Sequence, residues 1–74
     1  MANTVVRTLY THPACSYSDA LRQELVSDGL VFTEVDISER LDLIPEVLAL
    51  TGGERITPVM VTGDIVTVGF RGAG

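Results

Sequence analysis

The single cysteine, Cys15, most constrains how this chain can fold. A domain of 74 residues buries only about 60% of its unfolded surface, so its core is thin. One cysteine cannot form an internal disulfide or a cysteine-rich zinc site, and the single histidine, His12, removes most other metal-ligand sets. Packing must therefore hold the domain together, and few residues are available for chemistry.

The charge and hydropathy patterns exclude several classes of function. The formal net charge is −5, and all five basic residues are arginines scattered along the sequence. We therefore expect no nucleic-acid binding, because that binding needs clustered positive charge. The longest apolar run, residues 47–50, has four residues, whereas a membrane span needs about 20. We therefore expect no membrane association.

The organisation of the chain predicts a single domain over residues 1–74. No repeat or linker-like stretch divides the sequence, and the N-terminus lacks the basic start and long apolar stretch of a signal peptide. A cytoplasmic protein is therefore expected, and we also expect it to be a monomer.

The spacing of apolar residues predicts four strands and two helices. Runs rich in β-branched and aromatic residues favour strands, and apolar residues three or four apart favour helices. The predicted elements are a strand over 5–10, a helix from 15 or 16 to 28, a strand over 30–37, a helix from 38 to about 50, and strands over 59–62 and 65–68.

The ends of the two helices carry recognisable capping residues. Ser16 or Ser18 is expected to cap the first helix, and Gly29 is expected to end it. Ser38 is expected to cap the second helix. Pro45 interrupts that second pattern, so it either kinks the helix or restarts it with proline in the first turn.

The order β-α-β-α-β-β predicts an α/β architecture. Two strands joined through a helix are expected to be parallel. The last two strands, joined by Gly63 and Asp64, are expected to form an antiparallel hairpin. The chain should therefore fold as a mixed four-stranded sheet with helices packed on it.

Cys15 lies where the first predicted strand gives way to the first predicted helix. A helix N-terminus presents free N–H groups and a partial positive charge, and both favour a thiolate. Such a position can lower a cysteine pKa from about 8.5 into the range of roughly 3.5–7.5. A reactive thiol is therefore the first interpretation, and an inert buried cysteine is the alternative.

Two later segments have both structural and functional interpretations. Pro58 follows Thr57 at the start of a strand, and because only about 5–6% of such bonds are cis, the statistics favour trans. The run Gly69-Phe70-Arg71 is either a frayed end or a loop whose N–H groups and arginine bind an anion.

Several short motifs together resemble the glutaredoxin family. Its active-site segment is similar to residues 10–18, YTHPACSYS. The motifs VDI, TG, RITP and GF follow in the family's order, and the resemblance covers about residues 4–72. It implies a thioredoxin-like three-layer sandwich. Because the sequence ends at Gly74, where members usually continue, the third helix is expected to be absent or very short.

The resemblance implies a thiol–disulfide oxidoreductase that acts on glutathionylated or disulfide-containing proteins. In glutaredoxins the cysteine that matches Cys15 attacks a mixed disulfide, takes glutathione onto itself and is freed by a second glutathione. The proline that matches Pro58 is cis in the family and lies against the catalytic sulfur. The implied catalytic residues are Cys15, Ser18 and Pro58. The implied glutathione-binding residues are His12, Tyr17, Arg55, Thr57, Pro58, Gly69, Phe70 and Arg71.

Three departures from the family pattern modify these expectations. Ser18 replaces the second cysteine of two-thiol members, so only a one-thiol route with an external resolving thiol remains. Ser18 then either donates a hydrogen bond to the thiolate or caps the helix. His12 replaces the usual lysine and is either a thiolate-stabilising cation or an ordinary loop histidine. The run 69–71 is more similar to glutaredoxin-like proteins that draw electrons from thioredoxin reductase.

Two alternative functions remain open at this point. Some one-thiol glutaredoxins hold an iron–sulfur cluster between two subunits, and Cys15 would then supply one of four thiolate ligands, two of them from glutathione. A non-catalytic thioredoxin-fold module with a buried Cys15 is the other alternative.

Overall fold

A computed structural model describes residues 6–70 and contains the predicted mixed sheet. The sheet has four strands in the order β2-β1-β3-β4. Strand β1 pairs in parallel with β2, whereas the β1–β3 and β3–β4 pairs are antiparallel. The elements are β1 (Arg7–Thr11), α1 (Ser16–Ser27), β2 (Thr33–Asp36), a 3-10 helix (Leu41–Leu43), α2 (Ile44–Thr51), β3 (Val59–Thr62) and β4 (Ile65–Val68).

Strand β1 supplies core residues to both faces of the sheet. Successive side chains on a strand point to opposite faces. Leu9 is fully buried and packs with Leu21 and Leu25 of α1. The next residue, Tyr10, packs on the other face with Val47 of α2 and with β3. The helices therefore lie on opposite faces of the sheet, which confirms the predicted three-layer, thioredoxin-like arrangement.

Helix α1 begins at Ser16 without a side-chain cap. Cys15 is the N-cap residue and has extended backbone angles, so the expected capping by Ser16 or Ser18 is wrong. Ser18 lies inside the first turn with its side chain fully buried. The predicted end is confirmed, because Gly29 has a φ of 71° and its N–H donates to the Val26 carbonyl oxygen over 3.0 Å.

Strand β2 is shorter than the predicted strand over 30–37. Its four paired residues match the last four residues of β1, and Arg7, the first residue of β1, has no partner in β2. Leu30 instead closes the end of α1, since its N–H donates to the Leu25 carbonyl oxygen over 3.1 Å. Ile37 lies in a turn, where its N–H donates to the carbonyl oxygen of Thr11 over 2.9 Å.

The second helix starts later than predicted, and Ser38 does not cap it. The Asp36 carboxylate accepts hydrogen bonds from the Ser38 N–H over 2.8 Å and from its hydroxyl over 2.6 Å, which closes a turn instead. The 3-10 helix follows, and α2 then begins at Ile44 with Pro45 in its first turn. Proline therefore restarts the helix, and Gly52 ends it with a φ of 73°.

An ion-pair network joins α1 to the edge strand β2. The Arg22 guanidinium donates to both carboxylate oxygens of Glu34 over 2.7 and 2.8 Å, and to Asp19 over 2.6 Å. The buried Thr11 hydroxyl donates to Glu34 over 2.9 Å. Because Arg22 donates to the charged form, the pKa of Glu34 lies below its ordinary value. The network fixes the position of α1 beside the end of β1.

The opposite edge strand, β4, is exposed at all four positions.

Two predictions concern residues outside the described range and stay predictions. They are the absent or very short third helix and the role of Arg71. No helix within residues 6–70 is long and apolar enough to cross a membrane.

The central position of β1 leads to a stability prediction. Leu9→Ala should lower the free energy of unfolding by about 2–5 kcal/mol, because it removes a fully buried side chain. Val31→Ala, at a side chain that is 83% exposed, should change it by no more than about 0.5 kcal/mol. Urea denaturation measures both, and equal effects of the two substitutions would contradict the described core.

Candidate active site

A groove of about 430 Å³ lies beside Cys15. The β1–α1 loop, the turn after β2 and the segment before β3 form part of its wall, and the 3-10 helix and α2 form the rest. Its lining residues are His12, Cys15, Ile37, Ser38, Leu41, Ile44, Val47, Leu48, Arg55, Ile56 and Thr57. The volume falls within the range of roughly 300–1,000 Å³ that is usual for small-molecule sites.

The Cys15 sulfur is held against the segment before β3. Its thiol donates a hydrogen bond to the carbonyl oxygen of Thr57 over 3.3 Å, although the two residues are 42 positions apart. The Thr57–Pro58 bond is cis. The statistical expectation of a trans bond is therefore wrong, and the cis bond implied by the family resemblance is confirmed.

The surroundings of Cys15 favour its thiolate form. Burial alone raises the pKa of the thiol, because it disfavours the charged form. The side chains of Thr57 and Ser18 and the backbone N–H groups of Ser18 and Tyr17 act in the opposite direction, since they donate hydrogen bonds to the sulfur. These donors outweigh burial, so the pKa of Cys15 lies below its ordinary value.

The Ser18 hydroxyl is positioned to donate a hydrogen bond to the Cys15 sulfur. Its buried hydroxyl oxygen accepts a hydrogen bond from the His12 N–H over 3.4 Å. Because a hydroxyl has only one proton, accepting from His12 leaves that proton free to point at Cys15. Ser18 is thus a thiolate donor rather than a helix cap.

His12 lines the groove with one ring nitrogen already engaged. Its Nδ1 accepts a hydrogen bond from the Ala14 N–H over 3.1 Å. A nitrogen that accepts a hydrogen bond carries no proton, so the ring proton lies on Nε2 in this geometry. In this geometry His12 offers an N–H donor to the groove, and the thiolate-stabilising donors come from other residues.

The predicted site residues fall into three groups. His12, Cys15, Arg55 and Thr57 line the groove together. Pro58 and Gly69 are buried beside it, where the Gly69 N–H donates to the Pro58 carbonyl oxygen over 2.7 Å. The remaining described residues do not line the groove: Ser18 is buried in the first turn of α1, Tyr17 is 44% exposed on α1, and Phe70 packs against the core cluster that contains Leu9.

Sequence reasoning missed most of the apolar wall of the groove. Leu41, Ile44 and Leu48 are spaced three and four residues apart, so they share one face of the 3-10 helix and α2. That periodicity was visible in the sequence, but it predicts only a buried face and not which cavity the face lines. Ile37, Ser38, Val47 and Ile56 are the other lining residues that were not predicted.

No group of three or more metal-ligating side chains occurs among residues 6–70. Cys15 is the only cysteine of the chain, so a cluster would need thiolates from a second chain or from small thiols. The iron–sulfur alternative stays a prediction.

Comparison with solved structures places this geometry among known folds. A glutaredoxin (grx-1) from Archaeoglobus fulgidus aligns with a TM-score of 0.78 at 24% identity, covering 88% of this chain and 75% of that one. NrdH-redoxin, a glutaredoxin-like protein from Escherichia coli, aligns with a TM-score of 0.73 at 29% identity, covering 89% and 84%. Glutaredoxin 1 from Francisella tularensis aligns with a TM-score of 0.68 at 20% identity, covering 90% and 85%.

Sequence comparison assigns the family. A comparison with curated proteins finds no significant match. The glutaredoxin family model, however, matches residues 8–66, which include Cys15, Ser18 and the cis Thr57–Pro58 bond. With the fold and the thiol site in agreement, the chain belongs to the glutaredoxin family of thiol oxidoreductases.

Proposed function

We propose that this protein reduces mixed disulfides by a one-thiol, glutathione-dependent mechanism with Cys15 as the nucleophile. The observation that carries the proposal is the half-buried Cys15 sulfur, whose pKa is lowered by four hydrogen-bond donors despite its burial. Thiolates, and not thiols, attack disulfides. The same sulfur opens onto a groove large enough for a tripeptide.

The proposed cycle has two thiol–disulfide exchanges. The Cys15 thiolate attacks the glutathione sulfur of a protein–glutathione mixed disulfide, and a new Cys15–glutathione disulfide forms as the old bond breaks. The protein leaves as a thiolate and takes a proton from water. A second glutathione thiolate then attacks the bound glutathione sulfur, which releases oxidised glutathione and restores the Cys15 thiolate. One added glutathione is therefore oxidised for each mixed disulfide reduced, and it leaves in a disulfide with the glutathione taken from the protein.

The absence of a second cysteine supports the one-thiol route. Ser18 lies one helical turn after Cys15, and its hydroxyl cannot form a disulfide. In the proposed cycle Ser18 stabilises the attacking and departing Cys15 thiolate, and Pro58 holds the neighbouring backbone close to the sulfur.

Arg55 is the proposed anchor for a glutathione carboxylate. Within residues 6–70, Arg22 and Arg40 form ion pairs with carboxylates, whereas Arg55 forms none and lines the groove. A guanidinium fork matches the geometry of a carboxylate. His12 adds a ring N–H donor, and the Thr57 backbone pairs with the cysteine part of glutathione. Tyr17, Gly69, Phe70 and Arg71 complete the proposed glutathione-binding set.

A protein reductase is the second candidate electron donor. The NrdH-redoxin neighbour, at 29% identity, is described as having a thioredoxin-like activity profile. Reduction of the Cys15 mixed disulfide by thioredoxin reductase with NADPH, but not by glutathione, would favour this candidate.

Steady-state turnover of a glutathione mixed disulfide tests the proposed function. The wild-type protein should reduce the mixed disulfide of glutathione with a small thiol, and Cys15→Ser should be inactive. Arg55→Gln should raise KM roughly fivefold, because an exposed charge pair contributes about 1 kcal/mol. Arg7→Gln, at the far end of β1, is the matched control. Full activity of Cys15→Ser would contradict the proposal.

The pH profile of Cys15 alkylation tests the role of Ser18. Ser18→Ala removes one donor to the sulfur, so the pKa of Cys15 should rise and the inflection of the alkylation rate should move to higher pH. At neutral pH a smaller thiolate fraction should then slow the reaction. Ser16→Ala, at an exposed neighbouring serine, should leave the inflection in place. An unchanged inflection in Ser18→Ala would exclude the proposed hydrogen bond.

A further inference from the structure

None of the glutathione contacts proposed above uses the apolar wall of the groove. Leu41, Ile44 and Leu48 line one side of the groove that contains the Cys15 sulfur. The Leu41 side chain is 67% exposed, so it contributes little to the core. Glutathione carries no large apolar side chain that would cover these residues. A substrate that covers these residues must therefore carry an apolar group outside its glutathione part.

The charge of the groove complements the glutathione half of a mixed disulfide. The chain has ten acidic residues and a net charge of −5, yet none of the ten lines the groove. Among residues 6–70, Arg55 is the one arginine that lines the groove. An anionic tripeptide in the groove therefore meets the Arg55 guanidinium, while Asp36, the carboxylate that interacts with His12, is not among the lining residues.

The apolar wall is continuous with the thiol site. Both belong to one groove, so a group bonded to the sulfur under attack can reach both the cation and the apolar side chains. Other strongly exposed apolar residues, such as Val26 and Val31, do not line the groove. A mixed disulfide is one molecule with an anionic glutathione half and a peptide half. The first half can bind Arg55 while the second half contacts the apolar wall.

We propose that Leu41, Ile44 and Leu48 select protein substrates in which a large apolar residue lies next to the glutathionylated cysteine. This inference rests on the proposed function, because the selected group is the peptide that leaves when Cys15 takes the glutathione. The apolar side chain packs against the wall while the Cys15 thiolate attacks the glutathione sulfur. Burial of that side chain favours the transition state, since apolar surface leaves water as the complex forms.

Two matched peptides test the substrate class. Each carries one glutathionylated cysteine, and they differ only in the residue beside it, leucine in one and serine in the other. Intact-mass spectrometry follows the transfer of glutathione to Cys15 in a single turnover. The leucine peptide should react about tenfold faster, in the range for one apolar group in a pocket. Leu41→Ser should reduce this ratio towards one, and Val31→Ser, the control at an exposed position outside the groove, should retain it.

The outcomes separate this inference from the proposed function. Equal rates for the two peptides with the wild-type protein would overturn the apolar selection while leaving glutathione transfer intact. A ratio that Leu41→Ser does not change would also overturn it. A ratio that falls as protein concentration rises, together with a dimeric mass, would assign the wall to a second copy of the chain instead. Failure of both peptides and of oxidised glutathione to modify Cys15 would overturn the proposed function itself.

Discussion

The pairing of β1 with β2 on one side and with β3 on the other holds the rest of the molecule in place. It orients Leu9 towards the core under α1 and Tyr10 towards the core under α2. It also brings the two parts of the active site together, because Cys15 follows the end of β1 and Thr57 precedes the start of β3. Because β1 and β3 are antiparallel, the end of β1 and the start of β3 lie at the same end of the sheet. The contact between the Cys15 sulfur and the Thr57 carbonyl oxygen is therefore a consequence of sheet topology.

The thiol is tuned by hydrogen bonds and not by a neighbouring cation. Hydroxyl and backbone N–H donors lower the pKa of Cys15 against the opposing effect of burial, and His12 uses its Nδ1 lone pair within its own loop. These donors are Thr57, before β3, and Ser18 and the backbone of the first turn of α1, so the fold fixes their positions. The positive charge of the groove comes from Arg55 and is available to bind substrate. Activation of the nucleophile and recognition of an anion are thus performed by different residues.

Local sequence patterns predicted the order and pairing of the elements, since alternation and helical spacing are properties of short segments. Features that depend on distant partners were less predictable. Strand β2 is shorter than its β-branched run because Leu30 binds the end of α1 and Ile37 lies in a turn. Ser38 fails as a cap because the Asp36 carboxylate binds it first. The Thr57–Pro58 bond is cis, although the low frequency of cis bonds favoured trans, and only the family resemblance predicted the cis form. The apolar wall around Leu41 was missed because periodicity does not show which cavity a helix faces.

The central claim is that Cys15 is a thiolate nucleophile matched to glutathione. Timed intact-mass spectrometry of the reduced protein with oxidised glutathione at neutral pH, measured beside free cysteine, tests it most directly. The account predicts a single glutathione on the protein, added faster than to free cysteine, removed by reduced glutathione and absent from Cys15→Ser. Addition no faster than to free cysteine would contradict the account.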